Sequence, residues 1–265
     1  MLVLLRLQKS IFTNDFNRKL ELYNSPEDAS IAVANHIASL INAFHPTEKH
    51  PFVIGLPTGS SPLQVYARLI SLYNSKKVDF SNVVSFNMDE YYGLPPTDPR
   101  SYHYFMYTNF FDHVNFRPEN INILDGMADD SEIECRRYEE KIKSYGRINF
   151  FLGGMGPEGH LAFNESGSAR TTKTRQISLV ESTIKANSRF FENNPDNVPK
   201  AALTVGISTI LDNSDEVCVV VFGATKHWAL INTLTRKPTA AVPSTFLKDH
   251  NNSVIVADYA AIDKD

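Results

Sequence analysis

The 265-residue chain holds only two cysteines, Cys135 and Cys218. They share no C-x-x-C spacing and have no nearby histidine in a zinc-ligand pattern. The sequence therefore supplies neither a disulfide framework nor a metal site, and it points to a reducing compartment, the cytoplasm. Positive charge is not in excess either, with 26 Lys and Arg against 30 Asp and Glu and a net charge of −4. Without a concentrated basic stripe there is no field for a polyanion, so the expected partner is a small metabolite and not nucleic acid. No apolar run approaches the ~18 residues of a membrane span. The opening MLVLLRLQKSIF is too short for a signal h-region and lacks a small-residue cleavage site. Residues 1–18 read as an N-terminal extension; because Arg6 and Lys9 precede the first acid, Asp15, a mitochondrial presequence is the alternative. Repeats, heptads and low-complexity linkers are missing too. A hydrophobic content of 42% over this length suits one large core, hence a single catalytic α/β domain over 19–265.

After Arg18, short β-branched runs alternate with longer helix-periodic stretches, the pattern of βαβ units in a three-layer Rossmann-like α/β fold with a mainly parallel central sheet. Ser25-Pro26-Glu27-Asp28 combines an N-cap, a proline at the first helical position and first-turn acids, opening a helix to about Ala43. PFVIGL (51–56), VVSF (83–86), INIL (121–124) and INFFLGG (148–154) read as strands, followed by ALTVG (202–206), VCVVVFG (217–223) and SVIVAD (253–258). Parallel sheets bind ligands beyond the carboxyl ends of their strands, where loops and helix N-termini converge. Three loops in that position are chemically rich: PTGSSP, NMDEYYG and GGMGPEGHLAFNE.

In the first, Thr58, Gly59, Ser60 and Ser61 precede Pro62 at a helix start, so backbone N–H groups can face an anion. The plain alternative is a tight turn that needs glycine for its geometry alone. In the second, Asp89 and Glu90 are by default a solvated acidic pair, but a carboxylate at the ligand edge, shielded by Phe86, Tyr91 and Tyr92, suits removal of a proton from carbon next to a carbonyl. In the third, Glu158, His160 and Glu165 fall within eight residues of a glycine-dense turn, where a carboxylate can set the imidazole tautomer; a structural ion-pair network is the competing reading. Arg189 and Lys226 are by default surface cations, yet Lys226 follows a strand on the same edge and both are candidate phosphate partners. The polar, unevenly periodic stretch 179–198 reads as a mobile lid.

The segments GLPTGSSP, VVSFNMDEYYGL, SYHYFM, FFDHV, ENINIL, YEEKIKSYG, HLAFNE, ANSRFF, VPKAALTVGISTIL and PSTFLKDH together resemble the glucosamine-6-phosphate deaminase family, with matches from about Leu20 to Asp258. The resemblance implies the NagB/RpiA/CoA-transferase type of α/β fold. It also implies conversion of glucosamine 6-phosphate and water to fructose 6-phosphate and ammonia, without a redox or metal cofactor. Carried over by position, the enolising base is Asp89. The ring-opening acid/base is His160, supported by Glu165 and by Glu158, which stands with Pro157 where bacterial members have aspartate. Phosphate falls to the backbone around Gly59 and Ser60 with Arg189 and Lys226. Of the family's bacterial allosteric site, Ser168 and Arg175 match, but Ala169 and Ile177 replace a serine and a lysine, which implies little or no activation by N-acetylglucosamine 6-phosphate. The chain stops soon after Asp258, and a monomer is preferred over a homo-oligomer. Two rival functions are a 6-phosphogluconolactonase-like hydrolase and a non-catalytic sugar-phosphate sensor. The lactonases typically carry Asp-Glu-Arg where Asp89-Glu90-Tyr91 stands and lack AFNE, and a sensor is expected to have lost at least one of the four ionisable positions.

Overall fold

Every side chain of FVIGL, VVSFN and VCVVV is buried, with no polar alternation, so these strands are stable only where helices cover both faces of their sheet. The computed structural model describes residues 19–263 and builds that arrangement; the N-terminal extension expected over 1–18 lies outside the described residues. In chain order the elements are β1 (Lys19–Tyr23), α1 (Pro26–Phe44), β2 (Phe52–Leu56), α2 (Leu63–Asn74), β3 (Val83–Asn87), β4 (Asp89–Tyr91), α3 (Tyr102–Asn109), β5 (Ile121–Asn122) and α4 (Ser131–Ser144). They continue with β6 (Phe150–Gly154), β7 (Arg175–Ser178), α5 (Glu181–Asn187), β8 (Ala201–Thr204), α6 (Ile207–Asn213), β9 (Val217–Val221), α7 (His227–Thr235), β10 (Ser253–Asp258) and α8 (Tyr259–Ile262).

Among the described residues, seven strands form a parallel sheet in the order β1-β10-β9-β6-β2-β3-β5. One face packs on α1, α2 and α3 through Val33, Ile37, Tyr66, Leu69 and Met106. The other packs on α4, α6, α7 and α8 through Tyr138, Ile142, Ile210, Leu230 and Ile262. From β2 the chain winds outward to β3 and β5, then returns to β6 and winds the other way, so the switch point lies between β2 and β6. The loops after these two strands are PTGSSP and GGMGPEGH, which is where a parallel sheet opens a crevice.

Capping follows the sequence signals. Ser25 accepts from the Asp28 amide at 3.1 Å, Ser101 from Tyr104 at 3.0 Å and Asp130 from Glu132 at 2.8 Å. The edge strand β1 alternates Lys-Leu-Glu-Leu-Tyr and turns Leu20 and Leu22 to the core. The structure departs from the sequence reading in one place: ALTVG does not join the central sheet. Ala201–Thr204 is instead the middle strand of a separate antiparallel sheet, β4-β8-β7. Met88 is the hinge between the two sheets, since its carbonyl accepts from the Val205 amide at 2.8 Å. Among the described residues, no helix is long and apolar enough to cross a membrane.

The buried Tyr138 hydroxyl ties the carboxyl end of the sheet to α4, donating to the carbonyl of Asn87 at 2.7 Å and also to that of Asn122 at 3.0 Å. Replacing it by phenylalanine strands both acceptors, so Tyr138→Phe should lower the unfolding free energy by about 1–3 kcal/mol. Urea denaturation measures this; an unchanged midpoint would mean that the bridge adds nothing to stability.

Candidate active site

The PTGSSP loop leaves the end of β2 with its carbonyls pinned inward. The side-chain Nδ2 of Asn87 donates to Leu56 O at 3.2 Å, and the Tyr66 hydroxyl, reaching back from the first turn of α2, donates to Pro57 O. Gly59 adopts a φ of 93°, the left-handed region that glycine occupies without strain. The backbone amides of Thr58, Gly59, Ser60 and Ser61 donate to no other described residue. Thr58, Gly59 and Ser61 are half-buried and Ser60 is exposed, so these N–H groups form an open cradle for an anion. Tyr66 and Asn87, which shape it, carry no sequence signal beyond a buried tyrosine at helical spacing and a polar residue closing a strand.

Asp89 and Glu90 adjoin in sequence but do different work. Glu90 is spoken for: its carboxylate accepts from the amides of Tyr91 (2.8 Å), Tyr102 (2.9 Å) and His103 (2.7 Å), the last two forming the amino end of α3. Burial pushes its pKa up to about 7 against the pull of those three N–H donors. Asp89 is buried and accepts no hydrogen bond from a described residue. Burial first, and the charge of Glu90 second, push its pKa up to about 8. A carboxyl group with few polar partners and an elevated proton affinity is suited to general base work near neutrality.

His160 sits in a turn whose shape depends on glycine. A Cβ on Gly156 would lie 2.0 Å from His160 Nε2, so that position admits no side chain while the imidazole is in place. The Gly156 amide donates to His160 O at 3.0 Å, and Gly159, at φ 78°, lies under Val242 and Ser244. Burial, and then the nearby Lys226, lower the His160 pKa to about 4, which keeps the ring neutral through the physiological range. Its ring nitrogens bond no described residue.

The two acids assigned to His160 stand elsewhere. Glu158 is exposed, and no hydrogen bond or ion pair joins it to a described residue. Glu165 accepts from the Val180 amide at 3.3 Å and from the Thr183 hydroxyl, so it holds the amino end of α5 in the 179–198 segment. That segment rests on a small apolar cluster of Tyr91, Leu94, Phe163, Leu179, Phe191 and Val198, and Asn187 donates to the Tyr91 hydroxyl at 2.9 Å.

Lys226 lies in a turn opened by Gly223 at φ 86°. That turn is braced by the buried Asp258, which accepts from Gly223 N at 2.9 Å and Ala261 N at 3.0 Å. Asp258 was legible only as a strand-end acid. Burial first and the charge of Arg189, on the 179–198 segment, second lower the Lys226 pKa to about 8. The exposed Arg189 guanidinium lies over the Phe190 ring at 4.6 Å, and among the described residues neither cation has a carboxylate partner. Two convergent, unpaired cations are the complement of a phosphate group. The edge thus gathers an anion cradle, a neutral imidazole and a buried carboxyl group, which is the equipment for moving protons on a phosphorylated carbonyl compound.

The family described as glucosamine-6-phosphate isomerases/6-phosphogluconolactonase matches residues 24–256. The glucosamine-6-phosphate isomerase of Candida albicans is 56% identical over 241 residues, covering 91% of this chain and 96% of that protein. A glucosamine-6-phosphate deaminase of Mannheimia succiniciproducens is 52% identical over 228 residues, covering 86% and 85%. Among solved structures, a monomeric glucosamine-6-phosphate deaminase superposes with a TM-score of 0.86 at 37% identity, covering 92% of this chain and 98% of its own. The 6-phosphogluconolactonase of Thermotoga maritima reaches 0.71 at 20% identity, covering 91% and 99%, a likeness of fold alone.

The charge of Glu90 helps to hold the proton on Asp89, so Glu90→Gln should let Asp89 ionise at lower pH. Carbon-13 NMR of the Asp89 carboxyl group should show titration near 8 in the parent protein and a shift toward acid in the variant. Titration of the parent in the ordinary carboxylate range would mean that the group is hydrated.

Proposed function

Because the chain belongs to the glucosamine-6-phosphate isomerase/6-phosphogluconolactonase family, we propose that it converts glucosamine 6-phosphate and water to fructose 6-phosphate and ammonia. The observation that carries this reading is Asp89: buried, without a hydrogen-bond partner, and holding its proton up to about pH 8 at the strand edge that also carries His160. Lactone hydrolysis needs only an activated water, whereas an aldose–ketose rearrangement needs a strong base beside a C–H bond.

In this mechanism the sugar phosphate is held by the amides of Thr58 to Ser61 and by Lys226 and Arg189, and its charge restores the lowered proton affinity of Lys226. Neutral His160 takes the proton of the anomeric hydroxyl and returns one to the ring oxygen, opening the ring to the free aldehyde. Asp89 as the carboxylate then removes the C2 proton while O1 takes up a proton, giving an enolamine, and Asp89 delivers its proton to C1 as the nitrogen gives one up to replace that taken by O1. This leaves an imine at C2, to which water adds before ammonia departs. Asp89 begins and ends the cycle in the same protonation state, so the reaction consumes only the sugar phosphate and water.

The enzyme acts in the cytoplasm as a monomer in amino-sugar catabolism. Ala169 and Ile177 stand where the resemblance expects an effector-binding serine and lysine, and Arg175 is bonded to Asn164 and Ser168, so activation by N-acetylglucosamine 6-phosphate is weak or absent.

Purified protein incubated with glucosamine 6-phosphate should release ammonia and fructose 6-phosphate in equal amounts; no ammonia at high enzyme concentration would overturn the proposal. Asp89→Asn should lower kcat about 10²–10⁴-fold and abolish exchange of the C2 proton with solvent. Retained exchange in that variant would place the base elsewhere. Adding N-acetylglucosamine 6-phosphate should leave a hyperbolic rate curve unchanged, and a shift from sigmoidal to hyperbolic kinetics would contradict the loss of effector control.

A further inference from the structure

We propose that Asn164 is a positioning residue that keeps the His160 turn in register with the strand carrying Asp89, and that Arg175 locks its amide in the orientation this requires. The inference rests on the roles of Asp89 and His160 set out above.

Asn164 is fully buried, and the three hydrogen bonds of its side chain reach two parts of the site, while its backbone amide also donates to Leu161 O at 3.0 Å. The Nδ2 group donates to Leu161 O, one residue beyond His160, at 2.9 Å and to Val205 O at 2.7 Å. Val205 in turn donates from its amide to the carbonyl of Met88, directly before Asp89, at 2.8 Å. One carboxamide therefore spans the acid–base turn and the base strand. Both of its N–H bonds depend on the amide facing one way, and Arg175 Nη1 donates to Oδ1 at 2.9 Å to hold it there.

The small antiparallel sheet explains how these groups keep company. Thr204 on β8 is the register partner of Asp89 on β4 and equally of Arg175 on β7. Opposed residues in a sheet project to the same face, so Asp89, Thr204 and Arg175 form one row, with its two ends about 9–10 Å apart by strand spacing. Above this row runs the HLAFN turn. The Phe163 amide donates to Thr204 Oγ1 at 3.1 Å, and Asn164 takes Arg175. Arg175 also donates to Ser168 Oγ at 3.2 Å and Lys173 O at 3.3 Å, which anchors the guanidinium beside the turn. The row is a template: its first residue performs the carbon proton transfer, and its other two hold the turn that performs the oxygen proton transfer.

The test compares Asn164→Asp, which keeps the shape but removes both donors, with Arg175→Met and the conservative Arg175→Lys. Each is measured for kcat, KM, C2 proton exchange and thermal melting, and the His160 imidazole is titrated by NMR. Displacement of the turn should lower kcat roughly 10- to 100-fold in Asn164→Asp and Arg175→Met. KM should change little, because the phosphate cradle and Lys226 are untouched, and Arg175→Lys should recover most of the rate. The His160 titration should move up from about 4 as the ring loses its burial. Folded variants with parental kcat and an unmoved His160 titration would overturn the proposal, as would a loss confined to KM. If either strong variant fails to fold, Arg175→Gln, which is too short to keep the bonds to both Asn164 and Ser168, decides through the same two readouts. A parent protein that releases no ammonia removes the proposed reaction, while the His160 titration still decides whether Asn164 and Arg175 position the turn.

Discussion

A parallel sheet cannot face water on either side, and this constraint governs the molecule. The side chains of β2, β3 and β9 are committed to packing, so polar chemistry is excluded from the sheet and collected where its strands end. The switch of winding direction between β2 and β6 then sets the PTGSSP and GGMGPEGH loops side by side. Every candidate group lies on a loop after a parallel strand, Lys226 after β9 among them, on the small sheet that continues β3, or on the 179–198 segment.

Within that edge, burial does the electrostatic tuning and does it in opposite senses. Asp89 is raised to about 8, while His160 falls to about 4 and Lys226 to about 8. All three shifts favour the neutral form, as desolvation requires. Glu90 shows how a second buried carboxylate is tolerated a residue away: three backbone N–H groups, two of them opening α3, supply the stabilisation that Asp89 lacks. Adjacent acids thus separate into a structural anchor and a reactive base by the number of donors each meets.

Much of this was legible in the sequence because its signals are local. Unbroken apolar runs marked the buried strands, Ser25 with Pro26 marked a helix start, and glycine and proline marked the strand-end loops. Asp89, His160 and Lys226 were found from their place after such strands. The antiparallel sheet was not legible, since β4 and β7 are three and four residues long; Asp-Glu-Tyr is buried throughout, and the alternating burial of Arg-Gln-Ile-Ser is hidden because three of its four residues are polar. Partnerships across long separations were equally hidden. Nothing in the sequence says that Glu90 caps a helix beginning at Tyr102, that Glu165 binds the start of α5, or that Arg175 serves Asn164. Spacing suggested a Glu158–His160–Glu165 constellation, while the structure turns Glu158 to solvent and Glu165 to the lid.

The aromatic seat of the 179–198 segment links motion to protonation. Helix α5 is too short to hold itself in place; Phe191 packs edge-on against Tyr91 at 5.6 Å, and Asn187 holds the Tyr91 hydroxyl. Tyr91 directly follows the Asp89-Glu90 pair, so any lift of this segment admits water toward the base and draws the Asp89 pKa back toward an ordinary carboxylate. By linkage, the packing of this segment on Tyr91 and the protonation of the buried Asp89 favour one another.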